Sequence, residues 1–273
     1  MVKKRIIPVI LLRNGVIVQS RMFKRHQPIG TPTAAVERFS SWESDELIYL
    51  DISSTGSYDL NRNDLNHPEF SSISEIVKLV SKKCLMPLTF GGGIRTMEDV
   101  EQRIKNGADK ISLNTMAIDQ PSFISEVARR FGSQAVVISV DVKKEETGDY
   151  LVYKRGKEKT NLDPISFSKR CENLGAGEIL LNAIHKDGTG TGFDIDLIRQ
   201  VAAAVEIPVI AMGGAGSWDH FDEVLSMTKA SAVAAANIFQ HSENSVYNCK
   251  KNLFAKGLPV RKPCRLSDLK HNL

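Results

Sequence analysis

The sequence predicts a (β/α)₈ barrel, on the strength of two patterns: alternating strand and helix signals along the chain, and an internal repeat of half its length. The strand signals are short, β-branched, nearly continuous apolar runs: IIPVILL (6–12), ELIYLDI (46–52), MPLTF (86–90), DKISLN (109–114), AVVISVD (135–141), GEILLNAI (177–184), IPVIAM (207–212) and SAVAAA (231–236). Runs without polar alternation belong to strands buried on both faces, as in a parallel sheet covered by helices. Between them lie amphipathic segments at 71–84, 97–107, 120–132, 163–175 and 194–205, several beginning at Ser or Asp and stopping at Gly, as capped helices do. Eight strands, each followed by a helix, close most simply into a barrel.

The repeat is legible by eye. MPLTFGGGIRTMED (86–99) is answered by IPVIAMGGAGSWDH (207–220), GADKISLNTMAI (107–118) by KASAVAAANIF (229–239), and DELIYLDISSTG (45–56) by GEILLNAIHKDG (177–188). The partners stand roughly 120 to 130 residues apart, which reads as one duplicated half-barrel, not a solenoid of short units. A single domain over 1–273 is therefore expected, with a partly basic tail from Asn248 onward that is free to pack or to contact another protein.

Composition narrows the function classes. The net charge of +4 is modest for 273 residues and its basic residues are spread along the chain, which argues against nucleic-acid binding. No apolar run approaches the length of a membrane span. MVKKRIIPVILL has a basic start and a short apolar stretch, but Arg13 and Asn14 follow with no small-residue cleavage site, so a buried first strand is the better reading than a signal peptide. Cys84, Cys171, Cys249 and Cys264 lack metal-ligand spacing and read as reduced thiols of a cytoplasmic protein, with Cys249 and Cys264 open to exposure in the tail. No metal and no cofactor are expected.

Glycine turns mark the candidate site. Gly91, Gly92 and Gly93 follow one predicted strand, and Gly213 and Gly214 follow its counterpart. Glycine at the C-terminal end of a barrel strand lets backbone N–H groups approach a ligand, and the helix N-terminus beyond it favours phosphate. Thr115 and Asn237 at the neighbouring strand ends supply possible donors, and the Asp187–Gly192 run (DGTGTG), with Gly188, supplies a donor-rich loop beside the second turn. Tight βα turns alone explain one glycine pair; two sets at repeat-related positions point to a ligand with a phosphate at each end.

The stretches LTFGGGIRTMEDV, GADKISLNT, FGSQAVVISVDVKK, LGAGEILLNAIHKDGTGTGFD and IPVIAMGGAGSWDHF resemble the cyclase subunit of imidazole glycerol phosphate synthase, in register over nearly the whole chain. The resemblance implies a (β/α)₈ barrel that binds a glutaminase on its N-terminal face. Ammonia made there passes through the barrel to a phosphorylated ribosyl substrate at the C-terminal face. In that family two aspartates on opposite strands perform the acid–base work. Asp141 matches one; Leu11 stands at the other, and a leucine can neither take nor give a proton. Gln19 occupies the place of a loop lysine, ahead of a basic loop spanning 21–26.

The family's charged gate on the ammonia path is matched in charge type at all its positions, Arg5, Glu46, Lys110 and Glu178, and Asp109 matches a glutaminase contact. A ring of strand-start ion pairs plugging the barrel bottom explains the same charges without ammonia. A kept gate beside a lost aspartate resembles the cyclase-like branch associated with acetamidino-sugar formation in surface-polysaccharide (O-antigen) biosynthesis. There a barrel and its glutaminase supply ammonia to a separate sugar amidotransferase. The expected function is accordingly an ammonia-conducting barrel subunit with doubtful cyclase activity of its own. The alternatives are a cyclase of histidine biosynthesis and a non-catalytic regulator that binds a phosphorylated ligand.

Overall fold

The computed structural model describes residues 2–21, 25–53, 72–240 and 245–264. In chain order, β1 (Arg5–Arg13) is followed by a hairpin of β2 (Val16–Arg21) and β3 (Arg25–Gly30), then α1 (Pro32–Ser41). β4 (Leu47–Asp51) and α2 (Ile73–Ser81) precede β5 (Leu88–Gly91) and α3 (Met97–Lys105). β6 (Lys110–Leu113) leads into α4 (Thr115–Asp119) and α5 (Ser122–Phe131). β7 (Val136–Lys144) continues into an antiparallel pair, β8 (Tyr150–Lys154) and β9 (Glu158–Lys159), before α6 (Pro164–Asn173). β10 (Glu178–Ala183), α7 (Ile195–Ala204), β11 (Val209–Met212), α8 (Trp218–Met227), β12 (Ala232–Ala235) and α9 (Val246–Ala255) complete the order.

Eight of these strands form a closed parallel barrel in the order β1-β4-β5-β6-β7-β10-β11-β12, closed by parallel pairing of β12 with β1. This is the (β/α)₈ barrel that the alternation predicted. Every predicted strand run and every predicted helix segment contains an observed element, with helix ends set by local chemistry. Ser72 caps α2 by accepting from Glu75 N, Thr96 and Asp99 form a reciprocal capping box on α3, and Asp163 caps α6 with Pro164 next in line.

The expectation of a bare strand–helix alternation needs one correction: hairpins are inserted after β1 and after β7. The insertions fall at counterpart strands of the two half-barrels, and both extend from the C-terminal mouth.

Period-2 alternation sorts the strand side chains into two cores. Ile6, Ile10 and Leu12 face outward into the layer between barrel and helices. Ile7, Val9, Ile48, Val137, Leu180, Ile210, Met212, Ala232 and Ala234 face inward and fill the barrel, with Leu11 and Leu50 packed at its upper edge. The tail begins as a packed helix. Lys250 of α9 is fully buried, its Nζ donating to Asp45 Oδ1 (2.6 Å) and to Glu43 O (2.8 Å). Cys249 beside it is also buried, against the expectation of an exposed thiol, whereas Cys264 is exposed. Residues 265–273 of the tail lie outside the described residues.

Candidate functional site

At the N-terminal end of the barrel the four predicted gate residues meet. Arg5 starts β1, Glu46 directly precedes β4, Lys110 starts β6 and Glu178 starts β10, and inward alternation turns all four to the axis. Arg5 donates from its two terminal nitrogens to Glu46 and to Glu178. Lys110 Nζ stands 3.0 Å from Glu46 Oε2 and 3.0 Å from Glu178 Oε2. Each cation thus bridges both anions in one closed ring. Burial works against the Arg5 charge, but Glu178 and Glu46 outweigh it and raise its pKa. Beside the ring a groove is lined by Lys3, Lys4, Leu85, Pro87 and Arg261, with Leu85 88% exposed. Asp109 is exposed at the same end, its Oδ2 accepting from Leu88 N at 2.8 Å.

Above the ring the barrel lining is two-sided. Thr89 and Ser112 are buried polar positions on the inward register of β5 and β6, and Ser139 continues them on β7. Ser112 Oγ has no hydrogen-bond partner. The opposite wall is apolar, built from β1, β11 and β12.

At the C-terminal mouth Asp141 is 7% exposed. Its strand partner in register is Asn182, whose Nδ2 donates to Asp141 Oδ1 at 3.0 Å, and Asn114 Nδ2 approaches Oδ2 at 3.4 Å. Burial pushes the Asp141 carboxyl up to about 6, with the Asn182 amide and the Gly156 N–H holding it back. The counterpart pair in the other half-barrel is Leu11 and Leu50, in register on β1 and β4 and packed on the inner apolar cluster. One half of the mouth is therefore acid and amide; the other is leucine on leucine. Gln19 lies on β2 opposite Gln27. Of the basic loop that follows, residues 22–24 lie outside the described residues.

The glycine turns obey the repeat. Gly92 has φ +94° and Gly213 φ +99°, in the left-handed region, and an added Cβ would lie 2.0 Å from Asp51 O in one case and 2.6 Å from Ala183 O in the other. Asp51 and Ala183 are themselves repeat counterparts, each ending its strand. Gly93 and Gly214 follow in the same backbone region, and Gly188 lies in the turn after β10. Gly192 N donates to Gly214 O at 2.9 Å, joining the donor-rich loop to the second glycine turn as expected. Thr115 opens α4 beside the first turn. Asn237 Nδ2 donates to Ser20 O at 2.7 Å, tying the β2–β3 hairpin to the end of β12 and using one of its two N–H groups.

Several mouth residues were not singled out from the sequence. Asn114 and Asn182 hold Asp141, as above. His185 Nε2 stands 3.0 Å from Asp194 Oδ2, and Tyr150 Oη donates to the same carboxylate at 2.9 Å. Asp194 also caps α7. Despite its burial it sits at about 2, lowered by His185, the Leu197 N–H and Tyr150. Asp187 is buried in the turn after β10. Only the strand-end position of these residues could have flagged them, since a carboxylate in DGTGTG reads as turn chemistry. Among the described residues no group of three or more His, Cys, Asp or Glu side chains is placed to hold a metal ion, and no helix is long and apolar enough to cross a membrane.

The chain is thus a closed parallel (β/α)₈ barrel with a buried carboxylate and paired glycine turns at its C-terminal mouth, the end at which barrels of this kind carry their sites. The model of the family described as "Histidine biosynthesis protein" matches residues 5–245, and the chain belongs to this family. Relatives named imidazole glycerol phosphate synthase subunit HisF include those of Alkaliphilus metalliredigens, 41% identical over 263 residues (96% of this chain, 100% of the relative), and Streptococcus sanguinis, 39% identical over 262 residues (96% and 100%). The HisF subunit of Dehalococcoides mccartyi is 39% identical over 261 residues, covering 96% of this chain and 99% of its own.

Proposed function

We propose that this chain is the barrel subunit of an imidazole glycerol phosphate synthase. In this reading a glutaminase docks on the N-terminal end, ammonia crosses the four-charge ring and the barrel interior, and a phosphorylated ribosyl ligand receives it at the C-terminal mouth. The full-length similarity to HisF subunits supports the family chemistry, and the observation that carries the conduit is the ring itself. Because each cation contacts both carboxylates, Lys110 can swing aside while Glu46 and Glu178 each stay paired with Arg5. Opening then leaves no buried carboxylate unpaired, which lowers the cost of a gate in a largely dry site. The Thr89, Ser112 and Ser139 side of the interior offers hydroxyl partners along the path, and exposed Leu85 with Asp109 supplies apolar and charged contacts for docking. Gly92, Gly93 and Thr115 on one side and Gly188, Gly213 and Gly214 on the other would hold the two phosphates by backbone N–H and hydroxyl donation.

A second reading rests on Leu11 and Leu50. A mouth with one leucine-lined half favours passing ammonia onward, to a separate amidotransferase that forms acetamidino sugars. The test is the purified chain with a HisH-type glutaminase, glutamine and the cyclase substrate. Glutamine-driven formation of imidazole glycerol phosphate supports the first reading. Stimulated glutamine hydrolysis with ammonia release and no cyclised product supports the second, and no stimulation of the glutaminase contradicts both.

A further inference from the structure

The two glycine turns are repeat counterparts, but what stands behind them differs. Behind the first is Arg103 of α3, 4% exposed. Its Nη2 donates to Gly92 O at 2.8 Å and its Nη1 to Asp99 O at 2.9 Å, so the guanidinium joins the glycine turn to the start of the helix that follows it. The alignment that matches Gly92 to Gly213 matches Arg103 to Val224, a fully buried apolar side chain on α8. One half of the repeat thus backs its glycine turn with a cation and the other with a valine.

The bond to Gly92 O fixes the direction of the next amide. A trans peptide sets its C=O and its N–H on opposite sides. With Gly92 O drawn toward Arg103, the Gly93 N–H points away from α3, at the exposed surface of the mouth, and it donates to no acceptor among the described residues. Arg103 Nη2 also lies 3.7 Å from the position that a Cβ on Gly93 would take, so the cation sits beneath this amide.

Burying a guanidinium is costly, and a valine fills the counterpart place without that cost. The charge is only partly offset. Asp99 Oδ1 stands 4.0 Å from Arg103 Nη1, its side chain is 36% exposed to screening solvent, and its Oδ2 accepts from Arg95 N and Thr96 N at 2.9 Å each. Asp51, whose carbonyl faces Gly92, accepts from Ser53 N and Oγ with its own carboxylate. Arg103 Nε is buried with no hydrogen-bond partner.

We infer that Arg103 is the positioning residue of the first anion pocket: it aims the Gly93 N–H and adds a buried positive charge that selects a doubly ionised phosphate there. Val224 supplies no such charge behind the second turn. The inference deepens the proposed function and rests on its assignment of the glycine turns to phosphate. It divides the labour between them, the first turn reading charge and the second reading shape through its backbone.

The test uses the full chain, the Arg103→Met and Arg103→Lys variants and the cyclase substrate, with ³¹P NMR following the phosphate at each end. In the wild-type complex one phosphate is expected to hold its second proton more weakly than the other, because a cation favours the dianion. In Arg103→Met that midpoint should rise by about one pH unit and affinity for the dianion should fall about 10-fold, one unit and a factor of ten being the same free energy. The other phosphate should keep its midpoint. Arg103→Lys retains the charge and should recover most of both effects. Unchanged midpoints in Arg103→Met, a rise at both phosphates together, or no recovery in Arg103→Lys would each overturn the inference. A wild type that shifts neither phosphate signal overturns instead the phosphate reading on which the inference stands. Should Arg103→Met fail to fold, Arg103→Gln removes the charge while keeping an N–H donor, and the same outcomes decide.

Discussion

Asn182 Nδ2 donates to Asp141 Oδ1 at 3.0 Å across the β7–β10 strand pair, and that bond keeps a buried carboxylate from rising further than about 6. A donor to the ionised form favours it. Asn182→Leu is therefore expected to raise the Asp141 midpoint above about 6, as read by carboxyl NMR. A midpoint that stays put would mean that the contact carries no electrostatic weight.

Stability should show the same buried charge with a definite sign. Asp187 titrates near 3.8 when unfolded and about 6 when folded, so the fold favours its protonated form. The resulting penalty is absent below the unfolded value and complete above the folded one. Asp187→Asn should therefore stabilise the protein by about 2 to 3 kcal/mol at pH 8 and by nothing at pH 3.5. Thermal unfolding at the two pH values checks this; a gain at pH 3.5 as large as that at pH 8 would exclude a charge origin.

The ring at the other end separates ammonia supply from ammonia chemistry. Lys110→Ala leaves Glu46 and Glu178 sharing Arg5 alone. Glutamine-driven turnover should fall at least about 10-fold while ammonium-driven turnover stays within about 2-fold, and unfolding stability should drop by less than the roughly 3 kcal/mol of an unpaired buried charge, because both carboxylates keep Arg5. Equal losses with both nitrogen sources would assign the ring to holding the barrel bottom together.

The glycine turns can be ranked by what surrounds them. Gly92→Ala places a Cβ 2.0 Å from Asp51 O at φ +94°, so both sterics and backbone oppose it. Gly257, at φ +82°, has nothing within 4 Å of its Cβ position. Denaturant unfolding should show a loss of about 1 kcal/mol for Gly257→Ala and more than about 3 kcal/mol for Gly92→Ala. Similar losses would show that the close approach to Asp51 relaxes freely.

The barrel was legible because its strands are buried on both faces, so that runs such as AVVISVD are nearly all apolar, with Ser139 the one polar position before Asp141. The positions of the four-charge ring, Arg5, Glu46, Lys110 and Glu178, came from the family resemblance, since charges at strand starts alone read equally as ion pairs. The hairpin β2–β3 was not: RHQPIG has no apolar run, and its residues alternate between exposed and half-buried over a rim instead of a core. Lys250 was hidden because a lysine in a basic tail reads as solvated until Asp45 and the Glu43 carbonyl are seen to receive it. Asp187 was hidden for a related reason. Within DGTGTG it looks like a turn residue, and only the closure of β10 against β7 gives it a neighbour and a dry setting.

The most direct test of the account is turnover with ammonium salt and the cyclase substrate by the wild-type chain alone, without a glutaminase. The account predicts cyclised product despite Leu11, at a rate that collapses in Asp141→Asn. A folded wild type that binds a glutaminase but forms no product from free ammonia would contradict it, and would leave this barrel as a supplier of ammonia to another active site.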